Sequence, residues 1–208
     1  MKKLGFIVNP IAGMGGAVGL KGTDGEETLR KAIALGAKPI APARAKIFLS
    51  HLKKIHSEVH LLAAAGKMGE EEAKEIGFEC VTIGEPKDET GPNDTKKAAK
   101  MMIEEKVDLL VFCGGDGTAR DIMDVIGLKL PVLGVPTGVK MHSAVFALNP
   151  EIAAHITAKF LSSGIPLREA EVMDVDEEAF RQGRLSVSYT HLRAHETRHD
   201  LVCRLLLE

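Results

Sequence analysis

Residues 107–126 read VDLLVFCGGDGTARDIMDVI, and this stretch decides the fold. Residues 107–113 form an apolar run of strand length, and residues 119–126 have the apolar spacing of a helix. A glycine-rich turn over residues 114–118 joins the two. A nearly continuous apolar strand that leads into a helix is typical of a parallel sheet with helices on both faces.

The same alternation extends from this stretch in both directions. Strands are predicted over residues 3–8, 58–64, 78–83, 107–113 and 131–135. Helices are predicted over residues 26–35, from Pro42 onward, and over 70–76, 95–105, 119–126 and 151–161. The helix from Pro42 should bury Ile47, Phe48, Leu52 and Ile55, and Asn93 or Asp94 should cap the helix over 95–105. The predicted fold is α/β, a Rossmann-like parallel sheet with helices on both faces.

The composition narrows the class of protein. The 208 residues are 45% hydrophobic and 27% charged, which is typical of a globular chain. A net charge of −2 and the absence of tryptophan argue against a nucleic-acid or membrane-surface partner. Three widely spaced cysteines fit reduced thiols rather than a disulfide framework. We therefore expect a cytoplasmic protein with no nucleic-acid or membrane partner.

Three loops should lie together at the carboxyl edge of the sheet, where ligands bind in such folds. They cover residues 9–25, 114–118 and 136–143. The first contains Gly13, Gly15 and Gly16 but has Val18 where the dinucleotide fingerprint needs a small residue, and it lacks the GK[ST] of a P-loop. Its glycines could let backbone amides approach an anion, or could serve a turn alone.

The turn over residues 114–118 is more informative, because it places one carboxylate among three glycines. Glycines leave room for a phosphate or a ribose, and Thr118 is predicted to cap the following helix, whose N-terminus favours anions. Asp116 beside a phosphate is explained if it binds a sugar hydroxyl, holds Mg²⁺ or accepts a proton. A plain Asp-Gly turn is the structural alternative.

GGDGT after a strand resembles the signature of the superfamily of NAD kinases, diacylglycerol kinases and 6-phosphofructokinases. Two further stretches narrow the resemblance: IVNPIAGMGGAVGLKGTDG at residues 7–25 and GVPTGVKMHSAVFALNP at residues 134–150. Together the three stretches are similar to the ATP-NAD kinase-like branch, which also includes the acetoin-catabolism X proteins. The resemblance covers residues 1–186.

The resemblance implies phosphorylation of the 2′-hydroxyl of NAD to give NADP, with ATP or polyphosphate as donor and Mg²⁺ as cofactor. Asp116 would contact the acceptor ribose and act as general base or orienting group. The other residues implied at the nucleotide site are Asn9, Gly13, Gly15, Gly16, Gly114, Gly115, Gly117, Thr118 and Lys140. Thr118 would bind the donor and Lys140 would neutralise phosphate charge, although a solvated lysine explains Lys140 equally simply.

One departure from the family pattern leaves the acceptor open. NAD kinases carry an Asn-Glu pair that contacts the nucleotide, and this sequence contains no Asn-Glu dipeptide. Two alternatives therefore stand beside NAD phosphorylation. The protein could phosphorylate another small hydroxylated acceptor, or it could be an acetoin-catabolism X-type nucleotide-binding protein without turnover.

The chain is expected to divide into three parts. Residues 1–164 form the nucleotide-binding α/β domain, and residues 165–186 begin a truncated β-rich second domain. Residues 187–208 resemble translated sequencing-adapter read-through, and we expect a non-native tail that is disordered or loosely helical, not a metal site at His191, His195 and His199. Without the second domain the chain is expected to be inactive, and the full-length protein is expected to be a homo-oligomer.

Overall fold

The structure is a computed structural model that describes residues 1–14, 30–31, 33–138, 141–175 and 187–195. For residues 174–175 and 187–195 it describes the backbone alone. The strands are β1 Lys3–Val8, β2 His60–Ala64, β3 Cys80–Ile83, β4 Leu109–Gly114, β5 Val132–Pro136, β6 Leu167–Val175 and β7 Val187–His195. The helices are α1 Ala41–Ile55, α2 Glu70–Glu75, α3 Pro92–Glu104, α4 Asp116–Ile126 and α5 Pro150–Ser163, with a 3₁₀ turn at Gly66–Met68.

The strands form one sheet in the order β3-β2-β1-β4-β5-β7-β6. The first five are parallel to one another, and β1 and β4 are central, with Phe6 opposite Val111. Every residue of β4 is buried, as expected for a strand covered on both faces. The predicted α/β, Rossmann-like parallel sheet is confirmed.

Two apolar cores hold the helices against the two faces of this sheet. Phe48 and Leu52 of α1 pack with Phe6 of β1 in one core, where the Phe6 and Phe48 rings stack 5.7 Å apart. Met102 of α3 and Ile122 of α4 lie in the other core. Because successive side chains of a strand point to opposite faces, alternate residues supply the two cores, as Val111 and Phe112 of β4 do.

Of the four α1 residues predicted to be buried, two are buried and two are exposed. Phe48 and Leu52 are fully buried, whereas Ile47 and Ile55 are 38% and 42% exposed. Ala45 and Leu49 complete the apolar face in their place. A helix buries residues spaced three and four apart, and Ile47 falls outside that stripe. Ile55 follows Leu52 by three residues but is the last residue of the helix.

Some predicted helix boundaries also move. Helix α3 begins at Pro92 after Gly91 as N-cap, so neither Asn93 nor Asp94 caps it. Asp94 instead lies in the first turn, where its carboxylate accepts the Gly91 N–H at 3.0 Å. Of the helix predicted over residues 26–35, residues 30–31 and 33–34 are helical, and residues 26–29 and 32 lie outside the described residues.

Strands β6 and β7 form an antiparallel pair over nine residues, and Ala194 of β7 pairs with Val132 of β5. Ala170 and Val172 of β6 are buried in the same core as α3 and α4. Residues 187–195 therefore form a strand, and the prediction of a disordered or loosely helical segment is wrong for them. β-branched and aromatic residues favour strand pairing, and the edge of β6 presents a row of backbone N–H and C=O groups with which β7 pairs.

Glu72 of α2 is a buried carboxyl group, 5% exposed, whose Oε2 has no hydrogen-bond partner among the described residues. Loss of hydration on burial raises its pKa from 4.5 to about 7, and the charge of Glu71 adds to this. The folded protein therefore holds a proton here that the unfolded chain releases above pH 4.5. The stability that the folded protein gains by keeping Glu72 protonated is complete below pH 4.5 and is lost as the pH rises to about 7.

Glu72→Gln should therefore stabilise the protein at alkaline pH, because the amide has nearly the same shape and no charge to bury. We expect the free energy of unfolding at pH 8 to rise by about 1–3 kcal/mol, with little change at pH 4.5. Urea denaturation at the two pH values measures both numbers, and Glu104→Gln, at an exposed position of helix α3, is the control. An equal change in the free energy of unfolding at both pH values would contradict the raised pKa of Glu72.

No helix within the described ranges is long and apolar enough to cross a membrane.

Candidate functional site

The three predicted loops meet at the carboxyl ends of β1, β4 and β5. The Asn9 N–H donates to the carbonyl of Cys113 at 2.9 Å, which joins the first loop to the end of β4. The Thr137 N–H donates to the carbonyl of Gly114 at 3.3 Å, which joins the third loop to the second. Gly13 lies against Thr137, so the first and third loops are also in contact.

Asp116 is the first residue of α4, and its carboxylate is held by the third loop. Oδ1 accepts the Ser143 N–H at 2.9 Å and the Ser143 hydroxyl at 2.5 Å. Oδ2 accepts the His142 N–H at 3.0 Å. A carboxylate oxygen has two acceptor positions, so among the described residues one position on Oδ2 is left open.

The glycines of the site serve different purposes. A Cβ on Gly13 would lie 2.4 Å from the Thr137 carbonyl oxygen, and Gly13 has φ +85, so the protein's own packing requires this glycine. A Cβ on Gly114 would lie 2.5 Å from the Thr118 hydroxyl, with the same conclusion. Gly115 differs, because its φ of −111 suits any residue and no described atom lies within 4 Å of the added Cβ. The space above Gly115, directly before Asp116, is open.

Thr118 is not the cap of α4. The helix begins at Asp116 with Gly115 as N-cap, so Thr118 lies in the first turn, 3% exposed. Its hydroxyl accepts the Asn9 side-chain amide at 2.9 Å. Asn9 and Thr118 thus bind each other and brace the first loop against α4. Gly117 lies beside Thr118 within the first turn.

Gly15, Gly16 and Lys140 lie outside the described residues. His142 is exposed and contacts Asp116 through its backbone N–H. The predicted site residues that the structure does describe come together: Asn9, Gly13, Gly114, Gly115, Asp116, Gly117 and Thr118.

Two residues of the site escaped the sequence interpretation. Ser143 is 5% exposed and holds Asp116, and its hydroxyl also accepts the Met173 N–H at 3.1 Å. Thr137 is 2% exposed, and its Oγ1 has no hydrogen-bond partner among the described residues. Both are small polar residues in the apolar stretch from residue 132 to residue 147, which is the signal that could have found them.

Cys113, at the end of β4, is not a nucleophile of this site. Its thiol is fully buried and donates to the carbonyl of Ala41 at 3.3 Å. Burial raises the pKa of the Cys113 thiol far above its ordinary value, so the reactive thiolate does not form at neutral pH.

The described residues contain no cluster of three or more His, Cys, Asp or Glu side chains that could hold a metal ion. Mg²⁺ in kinase sites keeps several waters and binds through one or two carboxylates together with substrate phosphates. One open position on the Asp116 carboxylate fits an ion carried by nucleotide phosphates better than an ion caged by protein ligands. The arrangement suits an anionic ligand at the N-terminus of α4 with a hydroxyl group near Asp116.

Comparison with known proteins gives a family and some remote structural likenesses. Two solved structures from Bacillus anthracis strain Sterne, one a diacylglycerol kinase and the other provisionally assigned as one, are 17% and 16% identical to this chain, with TM-scores of 0.44 and 0.45. Each match covers 84% of this chain but 46% of the solved chain, so this chain spans less than half of their length. The comparison with curated proteins returned no match. Residues 4–165 match the model of the ATP-NAD kinase N-terminal domain, and the chain therefore belongs to the ATP-NAD kinase family.

Proposed function

We propose that this chain is the nucleotide-binding and catalytic α/β part of an ATP-dependent kinase that phosphorylates the 2′-hydroxyl of NAD to give NADP. The observation that carries the proposal is that, among the described residues, a carboxylate with one unoccupied acceptor position lies next to unoccupied space at the N-terminus of α4. Asp116 has one acceptor position left on Oδ2, and Gly115 before it faces open space. Membership in the kinase family supports a phosphoryl transfer at this place.

Asp116 would act on the acceptor. Its Oδ2 accepts the hydrogen bond of the ribose 2′-hydroxyl and takes the proton as the oxygen attacks the γ-phosphorus. The bond between the γ-phosphorus and its bridging oxygen breaks, and ADP leaves with that oxygen. Phosphoryl transfer requires chiefly positioning and charge stabilisation, so one well-held carboxylate is sufficient chemistry from the protein.

The N-terminus of α4 would hold the donor. Its free backbone amides and helix dipole attract phosphate, and Gly115 leaves room for a phosphate to approach them. Lys140 is proposed to neutralise phosphate charge from the neighbouring loop. Because the open position of Asp116 receives the acceptor hydroxyl, Mg²⁺ would be held chiefly by the nucleotide phosphates and by water, and when bound it would supply charge neutralisation on the transferred phosphoryl group.

A second candidate is a kinase for another small hydroxylated acceptor. The observation that favours it is the missing Asn-Glu dipeptide, which in NAD kinases contacts the nucleotide. The same Asp116 chemistry would serve any hydroxyl placed at Oδ2. An acetoin-catabolism X-type protein would instead bind the nucleotide without transferring phosphate.

A panel of acceptors tests the proposal. Two proteins are compared: the 208-residue chain, and a chimera that continues after residue 186 with the second domain of a family member. Each is incubated with ATP, Mg²⁺ and one acceptor, which is NAD, NADH, diacylglycerol or a sugar phosphate. We expect the 208-residue chain to be inactive and the chimera to phosphorylate NAD fastest, with a product that mass spectrometry and a NADP-specific dehydrogenase identify as NADP. A lipid or sugar as the preferred acceptor would replace NAD in the account, and ATP binding without any phosphorylated product would contradict catalysis.

A further inference from the structure

Ser143 joins the Asp116 carboxylate to strand β6. It follows β5 in the third loop and is 5% exposed. Its hydroxyl lies 2.5 Å from Asp116 Oδ1 and 3.1 Å from the Met173 nitrogen of β6. One side chain thus contacts both the N-terminus of α4 and a strand 30 residues further along the chain.

The direction of these hydrogen bonds follows from the single proton of a hydroxyl group. The Met173 N–H can only donate, so the Ser143 oxygen accepts it. The Met173 carbonyl lies 3.5 Å from the same oxygen, at the limit of a hydrogen bond, whereas Asp116 Oδ1 lies at 2.5 Å. The proton therefore points to Asp116, and β6 fixes the orientation of the hydroxyl that delivers it.

This orientation makes the two oxygens of Asp116 unequal. Oδ1 accepts both the hydroxyl and the N–H of Ser143, which fills its two acceptor positions. Oδ2 accepts one N–H, from the exposed residue His142. A substrate hydroxyl can therefore be received by Oδ2 alone.

We propose that Ser143 is a positioning residue that fills Asp116 Oδ1, turns Oδ2 toward the acceptor hydroxyl and ties this geometry to strand β6. The inference rests on the proposed function for its kinetic consequence. Its structural part, the link from Asp116 through Ser143 to Met173, stands on the hydrogen bonds alone. Any shift of β6 would then be transmitted to the Asp116 carboxylate through this hydroxyl, and the Ala144 N–H, which donates to the Glu171 carbonyl at 2.9 Å, is a second link between the third loop and β6.

Hydrogen exchange on the full chain tests the link. Ser143→Ala keeps the backbone N–H and removes the hydroxyl, so peptides that contain Met173 should exchange roughly tenfold faster. Ser143→Thr restores a hydroxyl and should return the exchange toward that of the wild type. Ser162→Ala is the matched control, because Ser162 is exposed and its hydroxyl bonds the Ala158 carbonyl within α5. Unchanged exchange at Met173 in Ser143→Ala would overturn the proposal.

Kinetics of the same variants test the consequence. Ser143→Ala should lower kcat for the acceptor roughly tenfold and leave KM within about twofold, with recovery in Ser143→Thr. A merely structural role would reduce the amount of active protein without this separation and would not be rescued by threonine. A kcat within about twofold of wild type would contradict positioning. These kinetics are measured in the chimera that carries a second domain. If the chimera without substitutions phosphorylates no acceptor, the proposed function fails, and the exchange at Met173 alone decides the link.

Discussion

In the chimera that carries a second domain, Asp116→Asn is expected to lower kcat for NAD phosphorylation by about 10²–10⁴-fold, the usual contribution of a general base. An amide keeps the size of the carboxylate but cannot accept the proton of the attacking hydroxyl. Three donors from His142 and Ser143 now bond the two oxygens of Asp116, and asparagine offers them only one oxygen. ATP binding should survive, because the helix amides and glycines remain. Steady-state kinetics give kcat, and calorimetry gives the Kd of ATP.

Asp124→Asn is the matched control for this substitution. Asp124 lies in the same helix, and its exposed carboxylate pairs with Lys96 at 2.6 Å. Exposed ion pairs contribute little to stability, so this variant should keep wild-type kinetics. If Asp116→Asn retains activity within a few-fold of wild type, Asp116 is not the general base.

Gly115→Asn is expected to weaken ATP binding by roughly 100-fold, the scale of two charge-assisted hydrogen bonds to phosphate. The side chain would fill the open space above Gly115 and would bond the first amides of α4 in place of a phosphate. Asparagine is a good N-cap residue, and the φ of −111 suits it, so the melting temperature should be unchanged or higher. Loss of binding without loss of stability is therefore the expected result.

Gly91→Asn supplies the comparison for Gly115. Gly91 is the N-cap of α3, has an extended φ of −140 and also faces open space among the described residues. The same substitution there should leave ATP affinity unchanged. ATP binding by Gly115→Asn that equals that of Gly91→Asn would show that the nucleotide lies elsewhere.

The sequence was sufficient for the parallel sheet, because its strands are apolar on both faces and alternate with amphipathic helices. Boundaries were less accurate, since helix α4 extends back to Asp116 and makes Gly115 rather than Thr118 its cap. Strand β7 was missed because pairing with β6 is a contact between distant residues, and local spacing suggested a helix instead.

Some residues of the candidate site could also be predicted from the sequence, whereas others could not. Asp116 and the glycines stand out because a carboxylate among glycines is unusual in any local context. Ser143 could not be found by spacing, because its contact with Asp116 joins residues 27 positions apart. The sequence therefore identified the proposed reacting group, Asp116, and the fold was needed to show what holds it.

The most direct test of the central claim is a crystal structure of the protein with NAD and a non-hydrolysable ATP analogue. The account predicts the ribose 2′-oxygen within about 2.6–3.2 Å of Asp116 Oδ2, while Oδ1 stays bonded to Ser143. A 2′-oxygen beyond the reach of Asp116, or one that displaces Ser143 from Oδ1, would contradict it.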